Sequence, residues 1–197
     1  WTLPGNTALA VCGSADYAVV KLEGKYVILA GARLAATGLG DAAVAATIKG
    51  DELIGVRYEP LYNAHAYGVE RRRFDVSSNQ TSPVIRPQPP EVDLTYGVIA
   101  TDFVSMDDGT GIVHVAPAFG EVDFEAGRAQ GLDFVQQVDL QGKITGTYPF
   151  AGKFVKDADK DITADLRDRG LLFKAEVVHH TYPFCWRCDT PLVYYAK

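Results

Sequence analysis

At 197 residues the chain is long enough for one domain with a sizeable core and a small appendage, and too short for a second full domain. A composition of 47% hydrophobic and 22% charged residues excludes a disordered protein. The formal net charge of -6 excludes a general nucleic-acid coat, which draws on many Lys and Arg contacts to phosphate, and leaves local contact with one RNA end open.

No apolar run approaches membrane-spanning length, no secretory leader is present, and three cysteines do not make a disulfide scaffold. A cytoplasmic setting without membrane contact is the expectation. The sequence begins at Trp1 within what reads as a strand and turn, and its only methionine is Met106. An excised piece of a larger protein is therefore expected.

Trp1 to Asn6 turns at Pro4, Gly5 and Asn6. Thr7 to Val11, Tyr17 to Leu22 and Tyr26 to Ala30 then read as three strands of a β-meander. Arg33 to Thr47 is alanine-rich and predicts a helix, interrupted at Gly38 and Gly40, with Asp41 capping a second segment. Gly55 to Tyr58 is extended and stops before Pro60. Arg71, Arg72 and Arg73 form the only concentrated positive segment, which fits either solvated strand-edge residues or a phosphate contact. Ser77 to Pro90 holds four prolines and predicts a long surface loop without regular structure.

Tyr96 to Val104 and Ile112 to Ala116 predict an antiparallel pair across Asp107, Asp108 and Gly109. Pro117 ends the second of these strands, Gly120 permits a sharp turn, and Asp123 to Gln130 reads as a short helix closed by Gly131. Phe134 to Val138 and Lys143 to Ile144 read as strands flanking the turn Asp139 to Gly142. Asp157 to Arg169 is the clearest helix, with Ala158, Ile162 and Leu166 on one stripe and Gly170 as its terminator. Leu171 to His180 resumes an extended pattern. The sum is a mainly β fold with inserted helices, and antiparallel strands over this length favour a closed or nearly closed barrel. Residues 1–177 would form that β-barrel with peripheral helices, and 178–197 a return segment.

The run DGTGIVHVAPAFGEVD, from Asp108 to Asp123, places a histidine and a carboxylate nine residues apart across a strand-to-helix junction. On the strand, Ile112, His114 and Ala116 share one face and Val113 and Val115 the other. His114 and Asp123 can thus face one pocket, where apolar surroundings shift titrations toward useful ranges. The structural alternatives are a hydrogen-bonded strand histidine and an aspartate N-cap. No phosphate loop, dinucleotide fingerprint, nucleophile elbow or zinc-protease helix accompanies the pair.

Cys185 and Cys188 form a C-x-x-C. A redox pair needs its first cysteine at a helix start, whereas Asp189, Thr190 and Pro191 promise a turn, which suits half of a zinc knuckle or a bare reduced pair. Tetrahedral zinc needs four ligands. His179 and His180 are close enough in sequence to complete a local set, and ligands from outside the chain serve as well.

Four segments in order, WTLPGN at Trp1, GVRYEPLY at Gly55, GTGIVHVAPAFGEVDFE at Gly109 and YPFCWRCDTPLVYYA at Tyr182, resemble the isoleucyl-tRNA synthetase family. They correspond to the editing domain inserted into the class I synthetases for isoleucine, valine and leucine. In that family it is a β-barrel with peripheral helices. The histidine at position 114 favours the isoleucyl relatives, since valyl enzymes usually carry lysine there. The resemblance implies that Asp123 anchors the substrate α-ammonium, that His114 contacts the substrate near the scissile bond, and that Thr2 and Asn6 belong to the pocket wall. The family's threonine-rich strand precedes the residue matching Trp1 and is outside this sequence.

The implied function is proofreading: a positioned water hydrolyses valine from Val-tRNA(Ile), and from valyl-adenylate. Discriminating isoleucine from valine by one methylene supplies only about 1 to 3 kcal/mol, a limit for which the isoleucyl enzymes are themselves the standard example. The alternatives are valyl-type editing of Thr-tRNA and a non-catalytic module that docks the tRNA acceptor end. The resemblance implies no cofactor at the editing site, and ATP and Mg used by a catalytic domain outside the chain; the spacing of Cys185 and Cys188 adds the expectation of a structural zinc in the parent protein. Expected partners are the tRNA(Ile) acceptor end, valine or valyl-adenylate, and the remainder of the synthetase.

Overall fold

The computed structural model describes residues 1–77, 85–87, 96–177 and 183–196. Along the chain lie β1 (Ala8–Val11), β2 (Asp16–Leu22), β3 (Lys25–Ala30), β4 (Val44–Lys49), β5 (Arg71–Phe74), β6 (Ile85–Pro87), β7 (Gly97–Ala100), β8 (Ile112–Val115), α1 (Glu121–Gln130), β9 (Asp133–Val135) and α2 (Val155–Asp168). They fall into two compact units. The first comprises Trp1–Asn6, Pro60–Asp93 and Ala116–Lys197, and the second Thr7–Glu59 and Leu94–Val115.

The second unit holds two three-stranded sheets, in the orders β7-β1-β8 and β3-β2-β4. β2 and β3 form the expected hairpin, paired from Tyr17↔Ala30 to Leu22↔Lys25. Its two-residue turn, Glu23 and Gly24, takes φ of 47° and 82°, the left-handed values that match the twist of the flanking strands. β1 does not extend this hairpin into a meander. It sits instead at the centre of the other sheet, parallel to β7 (Ala8↔Gly97) and antiparallel to β8 (Leu9↔His114). The expected direct pairing of β7 with β8 is thereby replaced by two pairings to β1. The reason lies in burial: Ala8, Ala10 and Val11 are fully buried, so β1 has no face for solvent and takes the central position.

The predicted helix over Arg33 to Thr47 is not formed. A single 3-10 turn, Gly31–Arg33, is followed by turns and then β4, which pairs antiparallel with β2 from Asp16↔Lys49 to Val20↔Val44. Gly38 adopts φ 83°, which breaks any helix there. Beyond it, the open edge of β2 recruits the alanines into a strand, and tertiary pairing overrides their propensity. Tyr17 anchors the core of this unit with Val11, Ala30, Leu53 and Val98, while Ala18, Val20, Leu29 and Leu39 pack on the other face of β2. The Tyr17 hydroxyl accepts from the Cys12 N–H at 2.9 Å and donates to the Gly111 carbonyl at 2.7 Å. Burial raises its pKa, so it remains a neutral donor.

The first unit holds the sheet β6-β5-β9. Ile85–Pro87 is paired with β5, so part of the expected irregular loop is a strand. Its proline is tolerated because β6 is an edge. The rest of that loop lies outside the described residues. α2 buries Val155, Ala158, Ile162 and Leu166 as the sequence stripe requires, and Gly170 follows it at φ 67°. Val138↔Ile144 bridges the expected turn over Asp139 to Gly142. Leu171 to Val177 forms no described strand, and the remainder of that predicted extension is outside the described residues.

The architecture is mainly β with two α-helices. Among the described residues no sheet closes into a barrel, since each is only three strands wide. No described helix is long and apolar enough to cross a membrane.

Candidate functional site

Asp123 is positioned by the turn that precedes α1. Pro117, Ala118 and Phe119 are buried, the Phe119 N–H donates to the Ala116 carbonyl at 2.9 Å, and Gly120 starts the helix in extended backbone geometry. Asp123 is the third residue of α1, one turn in, and Gly120 occupies the cap position. Its Oδ2 accepts from the Ala116 N–H at 2.9 Å, so the carboxylate reaches back across the turn. A Cβ at Gly120 would lie 3.1 Å from the Asp123 carboxyl carbon, and the absence of a side chain there leaves the carboxylate its place. The expected helix-start position is thus close, while an N-cap role is not what the side chain performs. Oδ1 has no hydrogen-bond partner among the described residues. A half-buried carboxylate with one oxygen fixed and one available is suited to receive a cation, through a charge-assisted hydrogen bond.

Thr2 and Asn6 flank a one-turn 3-10 helix, Leu3–Gly5, in the same unit as Asp123. Thr2 is half-buried and Asn6 is buried. The Trp1 and Phe119 rings meet in a T-shaped pair with centroids 5.0 Å apart. Gly5 is closely hemmed in: a Cβ there would lie 2.7 Å from Gln137 Oε1 and 2.8 Å from the Phe119 ring. His114 belongs to the second unit, on β8 opposite Leu9, and is half-buried. Val115 next to it is fully buried, whereas Val113, assigned to the same face, is exposed, so burial along β8 does not follow the alternation read from sequence.

The three arginines are committed within the chain. Arg71 is buried, Arg72 lies 4.7 Å over the Phe134 ring, and Arg73 makes two bonds to the buried Asp133 carboxylate, at 2.8 and 3.1 Å. Directly opposed strand positions explain the last two, Arg72↔Phe134 and Arg73↔Asp133. Their part is to fasten β5 to β9.

Cys185 and Cys188 lie in a tight reverse turn. The Cys185 N–H donates to the Thr190 carbonyl and the Asp189 N–H to the Cys185 carbonyl, both at 2.9 Å. Cys188 Sγ is 3.1 Å from Thr190 Oγ1, and hydrogen bonds from the Thr190 hydroxyl and amide hold the thiol below its ordinary pKa. No helix starts at this pair, which removes the basis for a redox centre. No third potential ligand joins the thiols among the described residues. His179 and His180 are outside them. The chain therefore presents two sulfur donors on a turn, a chemically suitable half of a tetrahedral site.

Sequence reading named Asp123 but not the Ala116 N–H that fixes one of its oxygens; the signal for that contact was Gly120, whose missing side chain leaves the carboxylate its place.

No protein-family model matches the chain. In structure it resembles one described as "The crystal structure of GlLeuRS-CP1", with a TM-score of 0.54 and 16% identity over 86% of this chain and 78% of that one. The fold is thus that of a synthetase CP1 domain. In sequence, all 197 residues match an isoleucine--tRNA ligase of Dehalococcoides mccartyi (strain 195) at 53% identity, and that of Bacillus thuringiensis (strain Al Hakam) at 42%. The chain is similar along its whole length to isoleucine--tRNA ligases and spans 17 to 19% of the length of these curated relatives.

Proposed function

We propose that the chain is the editing domain of an isoleucine--tRNA ligase and hydrolyses valine from Val-tRNA(Ile), and from valyl-adenylate. The observation that carries this reading is the match of all 197 residues, at 53% identity, to part of an isoleucine--tRNA ligase, on a CP1 fold. The available Oδ1 of Asp123 supports it, as a seat for the α-ammonium group common to every aminoacyl ester. Thr2 and Asn6 would line the wall beside the amino acid, and the remainder of the synthetase would present the tRNA acceptor end.

In this reading water adds to the ester carbonyl, the bond from acyl carbon to ribose oxygen breaks, and the products are free valine and tRNA with its terminal hydroxyl restored. Asp123 binds and orients the substrate. His114 acts as a positioning donor, and together with backbone N–H groups it stabilises the negative charge that develops on the carbonyl oxygen. Size supplies the selection: valine enters, and isoleucine is too large.

Deacylation of mischarged tRNA by the full-length protein tests the proposal. Asp123→Ala and His114→Ala should each lower the rate by about a hundredfold or more, the scale expected when a positioning contact is lost. Near-parental rates in both would sink it. Faster hydrolysis of threonyl than valyl esters would instead indicate valyl-type editing, and tRNA affinity without deacylation a docking module.

A structural zinc in the parent protein is a separate proposal, with Cys185 and Cys188 as two of its four ligands. Metal analysis of the purified full-length protein should find zinc that Cys185→Ser and Cys188→Ser both abolish. Equal zinc content in parent and variants would refute that assignment.

A further inference from the structure

Gln137 is fully buried, and its Oε1 has no hydrogen-bond partner among the described residues. A buried polar group left unpaired is destabilising, and an apolar residue of the same size would serve a core better. Its other end is engaged: Nε2 donates to the Trp1 carbonyl at 3.4 Å. The carboxamide also abuts Gly5, where a Cβ would come within 2.7 Å of Oε1. Gln137 therefore touches the Trp1–Asn6 segment at two points, and the same segment rests on Phe119 through Trp1 and Gly5.

The adjacent residue holds the other side. Gln136 Nε2 donates to the Ala196 carbonyl at 3.0 Å, and the Ala196 N–H donates to the Ala118 carbonyl at 3.0 Å. The turn from Ala116 to Gly120 is thus gripped twice, by Trp1–Asn6 through Phe119 and by Ala196 through Ala118. Both grips are secured by neighbouring glutamines. The two side chains reach different segments, Ala196 and Trp1, so one dipeptide holds both flanks. The turn they grip is the one whose Ala116 N–H fixes Asp123.

We infer that Gln136 and Gln137 are positioning residues for hydrolysis: they set the Ala116–Gly120 turn, and with it the Asp123 carboxylate, against the Trp1–Asn6 segment. This rests on the editing reading above. Neither glutamine touches substrate. Their contribution is to the angle at which Asp123 presents Oδ1, and a misplacement of about 1 Å at such a group costs on the order of a hundredfold in rate.

Gln137→Met in the full-length protein is the test, because it preserves volume and removes the orphaned oxygen together with the donor. The expected result is a thermal midpoint equal to or above the parent's, a Val-tRNA deacylation kcat lower by at least about tenfold, and a smaller change in KM. Gln136→Leu should lower kcat in the same way. Parental kcat in Gln137→Met would overturn the inference, as would a loss of kcat accompanied by a fall in midpoint, which marks a merely structural residue. If the parent itself deacylates no aminoacyl-tRNA, the editing reading fails, and hydrogen exchange over residues 116–124 decides the clamp. Faster exchange in Gln137→Met supports it, and unchanged exchange overturns it.

Discussion

Asp123 shows how one side chain can be both structural and chemically available. The Ala116 N–H takes one oxygen and thereby fixes the direction of the other. Two other aspartates are consumed entirely by structure and make the protein sensitive to acid. The Ser77 hydroxyl, the Arg86 guanidinium and the Ser77 amide hold the Asp75 carboxyl down at about 2. Partial burial pulls Asp165 up, but the Tyr62 hydroxyl at 2.7 Å and the Arg169 guanidinium at 2.9 Å outweigh it and leave it below its ordinary value. Folded-state values below unfolded ones mean that this stabilisation is fully present above the unfolded value of 3.8 and is lost as pH falls toward 2. The midpoint of thermal unfolding should therefore drop between about pH 4 and pH 2. The gap between the parent and Asp75→Asn or Asp165→Asn should be widest near neutrality and close on acidification. Parallel curves would show that these carboxylates are not the source.

Among the elements, α2 follows from its own sequence most completely. Val155, Ala158, Ile162 and Leu166 are all buried, at the spacing of one helical face. Ile162 is 3% exposed, so Ile162→Ala should destabilise by about 2 to 5 kcal/mol in denaturant titrations, whereas Lys160→Ala on the exposed face should stay within about 0.5 kcal/mol. Equal effects would mean that the stripe does not carry the packing. The β2-β3 hairpin was legible for a similar reason, since its turn and both strands are contiguous. β4 was not. Its alanines favour a helix locally, and only the exposed edge of β2, invisible in a window of residues, turns Val44–Lys49 into a strand. The arginine run misled in the same way: a charge cluster reads as surface until Phe134 and Asp133 are known to lie across the strand pair.

For the molecule as a whole, the sequence carries the class, mainly β with helices, because strand periodicity and turn residues are local signals. Pairing partners are not local. Nothing near Ala8 in sequence announces that it lies beside both Gly97 and Val115. The candidate site divides similarly. Asp123, His114, Thr2 and Asn6 could be named from motif resemblance, but the glutamines that frame the Asp123 turn emerge only when Trp1, Phe119 and Ala196 are seen against them. The central place of β1 also sets an order of events during synthesis. Neither neighbour of β1 exists until residues 97–115 have been translated, so this strand leaves the ribosome early with both of its edges unsatisfied. The β2-β3 hairpin can close as soon as it emerges, whereas β1 must wait for a long loop to close, the slow and aggregation-exposed step in folds rich in distant pairings.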